Sequence, residues 1–389
     1  MNIALVSSDN SKVVRRGGKH IHQDLLERGL RHIGVGVETF YPEVILSKFD
    51  FIKKLLKTDP LSIFSKKKRV IANTNRLLRF FSNLQLSMFD LVHCHDVIAV
   101  QGVNHENIIL TLHGYLAKEA VNYMWDRYSQ KVKKQIYDFL ADIEKSAVRK
   151  AKHIIAVDSR IKSYVIDELN YPAESLTVLY NAIDTDLFVP VDEQEKIRLR
   201  QKLKIPVDAF IVLVPRRYVK KNGVLYAAEA FSKIKSLDFF FVFAGGGHLK
   251  KELEKLLENN KNKLILDSIP NEAIHEYYKA SDVVLIPSVS SDGIEEATSL
   301  SMLEGMACGK VTVCSSIGGM KEVVKHSENG LLIEQASPKS IIESIIFVKE
   351  NYANLETLRK NARNYVVENH SYIEHAKKVY EIYRKVIKK

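Results

Sequence analysis

Hydrophobic positions along the chain follow two alternating rhythms: short runs rich in β-branched and aromatic residues, and longer stretches with apolar residues every three or four positions. In the first half the strand-length runs are Asn2 to Ser7, Gly36 to Phe40, Leu91 to His93, Ile108 to His113, His153 to Val157 and Thr177 to Tyr180. Helical patterns lie between them, near Gly18 to Ile33 and across Ala117 to Lys150. The scheme restarts with Phe210 to Pro215, Phe239 to Ala244, Lys263 to Leu266, Asp282 to Pro287, Val311 to Cys314 and Leu331 to Ile333, and the chain is helical from about Pro338. Strands that alternate with helices predict parallel, doubly wound α/β sheets, and two such series predict two Rossmann-like domains. Pro190, a charge-rich segment and Pro206 interrupt the alternation between Asp184 and Val207, which places the domains at 1–190 and 206–370. A last amphipathic helix, at 371–389, carries Ile373, Ala376, Val379, Tyr380, Ile382 and Tyr383 and packs either on the second domain or back on the first.

A length of 389 residues fits two domains of ordinary size. The longest apolar runs, Phe239 to Ala244 and Val283 to Pro287, have strand length and fall far short of the roughly 20 residues a membrane-spanning helix needs. The opening Met-Asn-Ile-Ala-Leu-Val enters a strand pattern with no basic segment or cleavage site before it, which predicts a cytoplasmic protein. Three cysteines, Cys94, Cys308 and Cys314, have no CxxC spacing and read as buried, reduced thiols.

Charge changes the picture locally. The net +11 is concentrated between Lys48 and Leu84, where ten basic residues and two acidic ones leave +8. Phe49, Ile52 and Leu56 fall on one helical face flanked by Lys53, Lys54 and Lys57, and Lys66, Lys67, Lys68 and Arg69 follow. That pattern suits a helix lying on an anionic membrane surface, and equally a surface helix packed on its own domain. Nucleic acid is a weaker reading, because no RNA- or DNA-binding motif accompanies the charge.

Candidate chemistry gathers at the ends of predicted strands, where ligands bind in open α/β sheets. Gly17-Gly18 open the first helix, where backbone N–H groups favour an anion, although two glycines after a strand also read as a turn. Gly245-Gly246-Gly247 and Gly318-Gly319 follow strands in the same way, and none of these loops is a GxGxxG or P-loop fingerprint. After the strand ending at Pro287, Glu296 and Glu304 are eight residues apart, about two turns of a helix beginning at Glu296. Two carboxylates so placed could accept hydroxyls from an extended ligand, or form a solvated helix face. Arg216 and Lys221 share a loop after Phe210 to Pro215, which suits a diphosphate or an exposed basic loop. His93, His95 and Asp96 form His-x-His-Asp at a strand end, but no further ligand set is identifiable, so they read as structural or acceptor-site groups.

Together these segments resemble the family 4 glycosyltransferases, retaining enzymes of the GT-B fold. The resemblance rests on Glu296-x7-Glu304 followed by Gly-Met-Ala-Cys-Gly, Arg216 with Lys221, Pro287-Ser288, Gly318-Gly319 before Glu322-Val323-Val324, and Glu328-Asn329-Gly330. Gly17-Gly18, His113-Gly114 and Asn181-Ala-Ile-Asp184 match in the first half. It implies two Rossmann-like domains facing across a cleft, with the C-terminal helix returning to the first. It also implies a nucleotide-diphosphate sugar as donor, a UDP-sugar ahead of GDP-mannose. The basic stretch at Lys48 to Leu84, in the domain that binds acceptors in this family, suits a lipid-linked or envelope-polysaccharide acceptor with the enzyme peripheral on the inner membrane face, and equally an anionic soluble substrate. Glu304 would hold ribose hydroxyls, Arg216 and Lys221 the diphosphate, Gly17 and Gly18 the phosphates through backbone N–H, and His113 the donor sugar. Glu296 would hold the transferred sugar, with Ala297, Thr298, Ser299 and Leu300 lining the donor site. Attack would come from the face the diphosphate leaves, with no protein nucleophile, cofactor or required metal. Many members have Gly-Phe-Gly where Ala297-Thr298-Ser299 stands, and glycine where Ala182 stands, which leaves the donor sugar open. A sugar-nucleotide epimerase on the same fold and a nonenzymatic basic α/β protein are the alternative readings.

Overall fold

The computed structural model describes residues 1–9, 18–42, 62–122, 129–234, 236, 238–291 and 295–388. The chain divides into two units, Met1–Tyr180 with His375–Lys389, and Asn181–Glu374. Each is built on a six-stranded parallel sheet. The expected boundary between Asp184 and Val207 falls inside the second unit, because Ile183, Phe188, Leu199 and Ile205 are buried in its core.

In the first unit the strands are β1 (Asn2–Val6), β2 (Gly36–Phe40), β3 (Leu91–Cys94), β4 (Ile108–Leu112), β5 (His153–Ala156) and β6 (Leu176–Val178), in the order β2-β1-β3-β4-β5-β6. Alternate strand residues face opposite layers: Ala4, Val6, Val92 and Leu110 enter one core, and Ile3, Leu5, Leu91 and Ile109 the other. That second layer is closed by the helix Tyr372–Lys388, whose Ala376, Val379, Ile382, Tyr383 and Val386 recur at helical spacing and are buried against it. Of the two packings open to this helix, the structure shows the one on the first unit.

The second unit repeats the plan with β7 (Phe210–Val214), β8 (Phe239–Ala244), β9 (Lys263–Leu266), β10 (Val283–Ile286), β11 (Val311–Ser315) and β12 (Leu331–Ile333), in the order β12-β11-β10-β7-β8-β9. In each sheet the chain builds outward in one direction, returns, and builds in the other. The reversal leaves a crevice at the carboxyl ends of β1 and β3 in the first sheet, and of β7 and β10 in the second.

The helical pattern across Ala117 to Lys150 forms two helices, Leu116–Asn122 and Gln130–Lys150, the second started by the Ser129 side chain accepting the Val132 N–H. In the basic stretch, the face of Phe49, Ile52 and Leu56 with Lys53, Lys54 and Lys57 lies outside the described residues. Lys66, Lys67, Lys68 and Arg69 lie in the helix Ser62–Ser82. Further along it, Leu77, Phe80 and Phe81 pack on the domain core while Arg76 and Arg79 face solvent. All three cysteines are buried and free. Among the described residues no helix is long and apolar enough to cross a membrane.

Candidate functional site

The crevice between β7 and β10 is organised by one guanidinium. Arg216 follows β7, is 8% exposed, and donates through Nη2 to Glu296 Oε2 (2.8 Å), Asn222 Oδ1 (2.8 Å) and Ser288 Oγ (2.9 Å). Its Nη1 donates to Ser299 Oγ at 3.1 Å. The four partners come from three segments: Asn222 from the turn that holds Lys221, Ser288 from just beyond β10, and Glu296 and Ser299 from the loop before the helix Leu300–Ala307. A planar donor fork can satisfy such a set at fixed angles, which an ammonium cannot.

Close backbone approaches fix these loops. Gly223 has φ +65°, and a Cβ there would lie 1.7 Å from the Pro287 carbonyl oxygen, so only glycine lets the Lys221 turn close against the end of β10. The Val289 N–H then donates to the Lys221 carbonyl at 2.9 Å. Gly318, at φ +50°, would place a Cβ 2.0 Å from the Glu296 carbonyl oxygen, and the Gly319 N–H donates to that same oxygen at 3.1 Å. The glycine-rich loops of this unit therefore have a nearer role than phosphate binding. Gly318-Gly319 brace the Glu296 loop, and Gly245 lies against the Arg216 backbone.

The helix expected to begin at Glu296 begins at Leu300. Glu296 stands in an extended loop, so helical spacing does not bring it to Glu304; Arg216, whose charge acts on both carboxylates, links them instead. The environments of the two acids diverge. Burial would raise Glu296, but the charges of Arg216 and Lys221 prevail and hold it below the usual carboxylate range. Glu304 is 6% exposed, and burial pushes it up to about 7 against the Tyr278 hydroxyl, which donates to Oε2 at 2.6 Å, and the Arg216 charge. Tyr278, fully buried on the helix Asn271–Ala280, had no signal in the sequence beyond its apolar face. Thr298 and Ser299 are buried; the Asn181 side chain donates to the Thr298 carbonyl at 3.4 Å, while Thr298 Oγ1 has no partner among the described residues. Ala297 and Leu300 are half-buried on either side.

The remaining expected site residues belong to the first unit. Gly17 lies outside the described residues, and Gly18 opens the helix Gly18–His32. His113 follows β4, with burial, then His22 and Lys19, driving its imidazole toward the neutral form. His93 is locked, its ring nitrogens 2.6 Å from the Tyr383 hydroxyl and 2.7 Å from Thr111 Oγ1. Asp96 caps the helix Val97–Gly102 by accepting the Ala99 N–H, and also accepts from Ser8 N–H and Oγ, both at 2.8 Å.

Two family models match the chain, one on each half: Glycosyltransferase Family 4 over residues 17–187 and Glycosyl transferases group 1 over residues 195–365. The chain belongs to the family 4 glycosyltransferases. It is 28% identical over 313 residues to an uncharacterised glycosyltransferase of Methanocaldococcus jannaschii, covering 77% of this chain and 76% of that one. Over 332 residues it is 26% identical to the UDP-Gal:alpha-D-GlcNAc-diphosphoundecaprenol alpha-1,3-galactosyltransferase of Escherichia coli, covering 81% and 80%. Among solved structures, sucrose-phosphate synthase of Thermosynechococcus elongatus superposes with a TM-score of 0.76 at 20% identity, covering 100% and 99%. The Anabaena protein HepE, solved with UDP-glucose, gives 0.71 at 18% identity, covering 98% and 99%. The fold of this glycosyltransferase is therefore GT-B, as the resemblance implied.

Proposed function

We propose that this glycosyltransferase is a retaining hexosyltransferase that takes a sugar from a nucleotide diphosphate, UDP ahead of GDP, to a lipid-linked or envelope-polysaccharide acceptor. The observation that carries the reading is Arg216 at the β7/β10 crevice, held by Glu296, Ser288, Asn222 and Ser299. Cations fixed where a diphosphate departs stabilise the negative charge that develops on it, at no cost of reorganisation during the reaction. Arg216 and Lys221 bind the diphosphate, Glu304 the ribose hydroxyls, and Glu296 the hydroxyls of the transferred sugar, while His113 and the Gly17-Gly18 amides complete the donor contacts.

The acceptor oxygen attacks the anomeric carbon on the face that the diphosphate leaves. The carbon–oxygen bond to phosphate breaks with its electron pair going to the phosphate oxygen, which takes the acceptor's proton. No side chain is needed as nucleophile, and the transfer needs no metal when two cations already face the phosphates. The galactosyltransferase relative of Escherichia coli, whose name specifies UDP-Gal and a diphosphoundecaprenol-linked acceptor, supports both halves of the reading. Lys53, Lys54, Lys57, Lys66, Lys67, Lys68 and Arg69 would hold the enzyme against an anionic inner leaflet; liposome binding unchanged after neutralising Lys66 to Arg69 would exclude that role for them.

The donor assignment is tested by thermal stabilisation against UDP-, GDP-, ADP-, dTDP- and CMP-sugars. A ligand bound only by the native state raises the unfolding midpoint by mass action. One nucleotide series should stabilise the protein and lose its effect in Glu304→Ala; no stabilisation at millimolar ligand overturns the donor site.

A further inference from the structure

The first unit contains a histidine cluster of which the proposed donor contacts use only His113. His22 from the helix Gly18–His32, His95 from the turn after β3 and His113 from the turn after β4 converge at the carboxyl ends of adjacent strands. One ring nitrogen of each lies within 4.8 Å of those of the other two. The ring centroids are 4.8 Å apart for His22 and His113, 5.7 Å for His22 and His95, and 5.8 Å for His95 and His113. A tetrahedral ion about 2.05 Å from three imidazole nitrogens puts the ring centres about 3.2 Å from itself, and so about 5.2 Å from one another. The observed separations bracket that figure. We propose that His22, His95 and His113 form a three-histidine site for a borderline divalent transition ion, Zn²⁺ foremost, with the fourth position open to water or another oxygen ligand.

The surroundings favour a cation. His95 is 1% exposed, and neither of its ring nitrogens has a hydrogen-bond partner among the described residues; the same is true of His113 Nε2. Buried polar atoms left unsatisfied are costly, and an ion would satisfy them together. His93 cannot serve as ligand, since both its nitrogens are engaged; it stacks on His95 at 4.6 Å and fixes that ring's plane. Burial first, and the neighbouring imidazoles and Lys19 next, keep His95 and His113 neutral, with lone pairs available. The Lys19 ammonium, which acts against positive charge on both rings, is offset by its ion pairs with Asp9 (2.7 Å) and Asp96 (3.3 Å).

Because His113 also serves the proposed donor contact, metal and sugar would draw on one imidazole, and occupancy would inhibit transfer. That consequence rests on the transferase reading; the site itself does not. The test reads the metal directly on the full chain, stripped with chelator and given Co²⁺ alone. It should take up one equivalent with the intense visible bands of a four-coordinate ion, displaced by Zn²⁺. His22→Ala and His95→Ala should each weaken uptake by more than about 100-fold, beyond what loss of a supporting contact does. Zinc-edge X-ray absorption on the unsubstituted protein needs no variant to fold, and should count three imidazoles at about 2.0–2.1 Å. Two imidazoles or fewer, or bands unchanged in both variants, would place the ion elsewhere, on exposed histidines such as His32, and overturn the proposal.

Discussion

Replacing Glu304 by glutamine should make the protein more stable at alkaline pH and no more stable in acid. Burial raises this carboxyl from 4.5 to about 7, so its ionised form is disfavoured in the folded state. At 1.36 kcal/mol per pH unit, the ionised group costs about 3 kcal/mol once both folded and unfolded chains are deprotonated. The sign follows from proton counts: between 4.5 and 7 the native state holds a proton that the unfolded state has lost, so stability falls as pH rises through that window and levels off above it. The carbonyl of the introduced glutamine can still accept the Tyr278 hydroxyl, while its NH₂ group goes without a partner, costing about 1 kcal/mol. The net gain for Glu304→Gln is then about 2 kcal/mol at pH 8 and close to zero at pH 5, equivalent to about 4 to 8 °C at the higher pH for a domain of this size. Urea unfolding followed by circular dichroism at pH 5, 6, 7 and 8 measures it. A difference that does not change with pH, or a glutamine variant less stable at pH 8, would refute the view that Glu304 is held against its own charge.

The carboxylate that costs stability is the one that ribose hydroxyls would use. Nucleoside diphosphate affinity, measured calorimetrically, should therefore fall by up to about tenfold per pH unit below 7 and flatten above it, the dependence disappearing in Glu304→Gln. Arg216→Lys keeps the charge but cannot reach Glu296, Ser288, Asn222 and Ser299 together; kcat/KM should drop by about 100- to 1,000-fold, with a stability loss of about 2 to 3 kcal/mol in the same variant. Gly318→Ala, which sets a Cβ 2.0 Å from the Glu296 carbonyl, should cost about 1 to 3 kcal/mol and raise the donor KM, and an unaltered KM would show that the Glu296 loop does not shape the donor site.

Much of the fold is legible in the sequence because it is written in local period. Strands such as Phe239–Ala244 and Val283–Ile286 are buried between two layers and stand out as short apolar runs between helices. Where local signals mislead, a nonlocal partner decides. The helix expected from Glu296 starts at Leu300 because the backbone before it is used elsewhere: the Glu296 carbonyl is taken by Gly319, and the Glu295 carboxylate by the Gly318 N–H at 2.9 Å. The segment beyond Asp184, which has the composition of a linker, joins the second unit because its few apolar residues, Phe188, Leu199 and Ile205, are buried there; a charge-rich helix, Glu193–Lys202, carries Leu199.

The histidine cluster shows the same limit from the other side. His93, His95 and Asp96 stand together in the sequence, where nothing nearby completes a ligand set. The completing ligands are residues of the first helix and of the turn after β4, and no spacing rule connects them to β3. They meet because β1 and β4 both pair with β3, which brings the helix after β1 and the ends of β3 and β4 to one crevice. Strand order is what converts three scattered imidazoles into one site, as it converts Arg216 after β7 and Ser288 after β10 into the other. The alternation of strands and helices permits several orders, so candidate residues can be named from the sequence, while their grouping depends on the pairing of β1 with β3 and of β7 with β10.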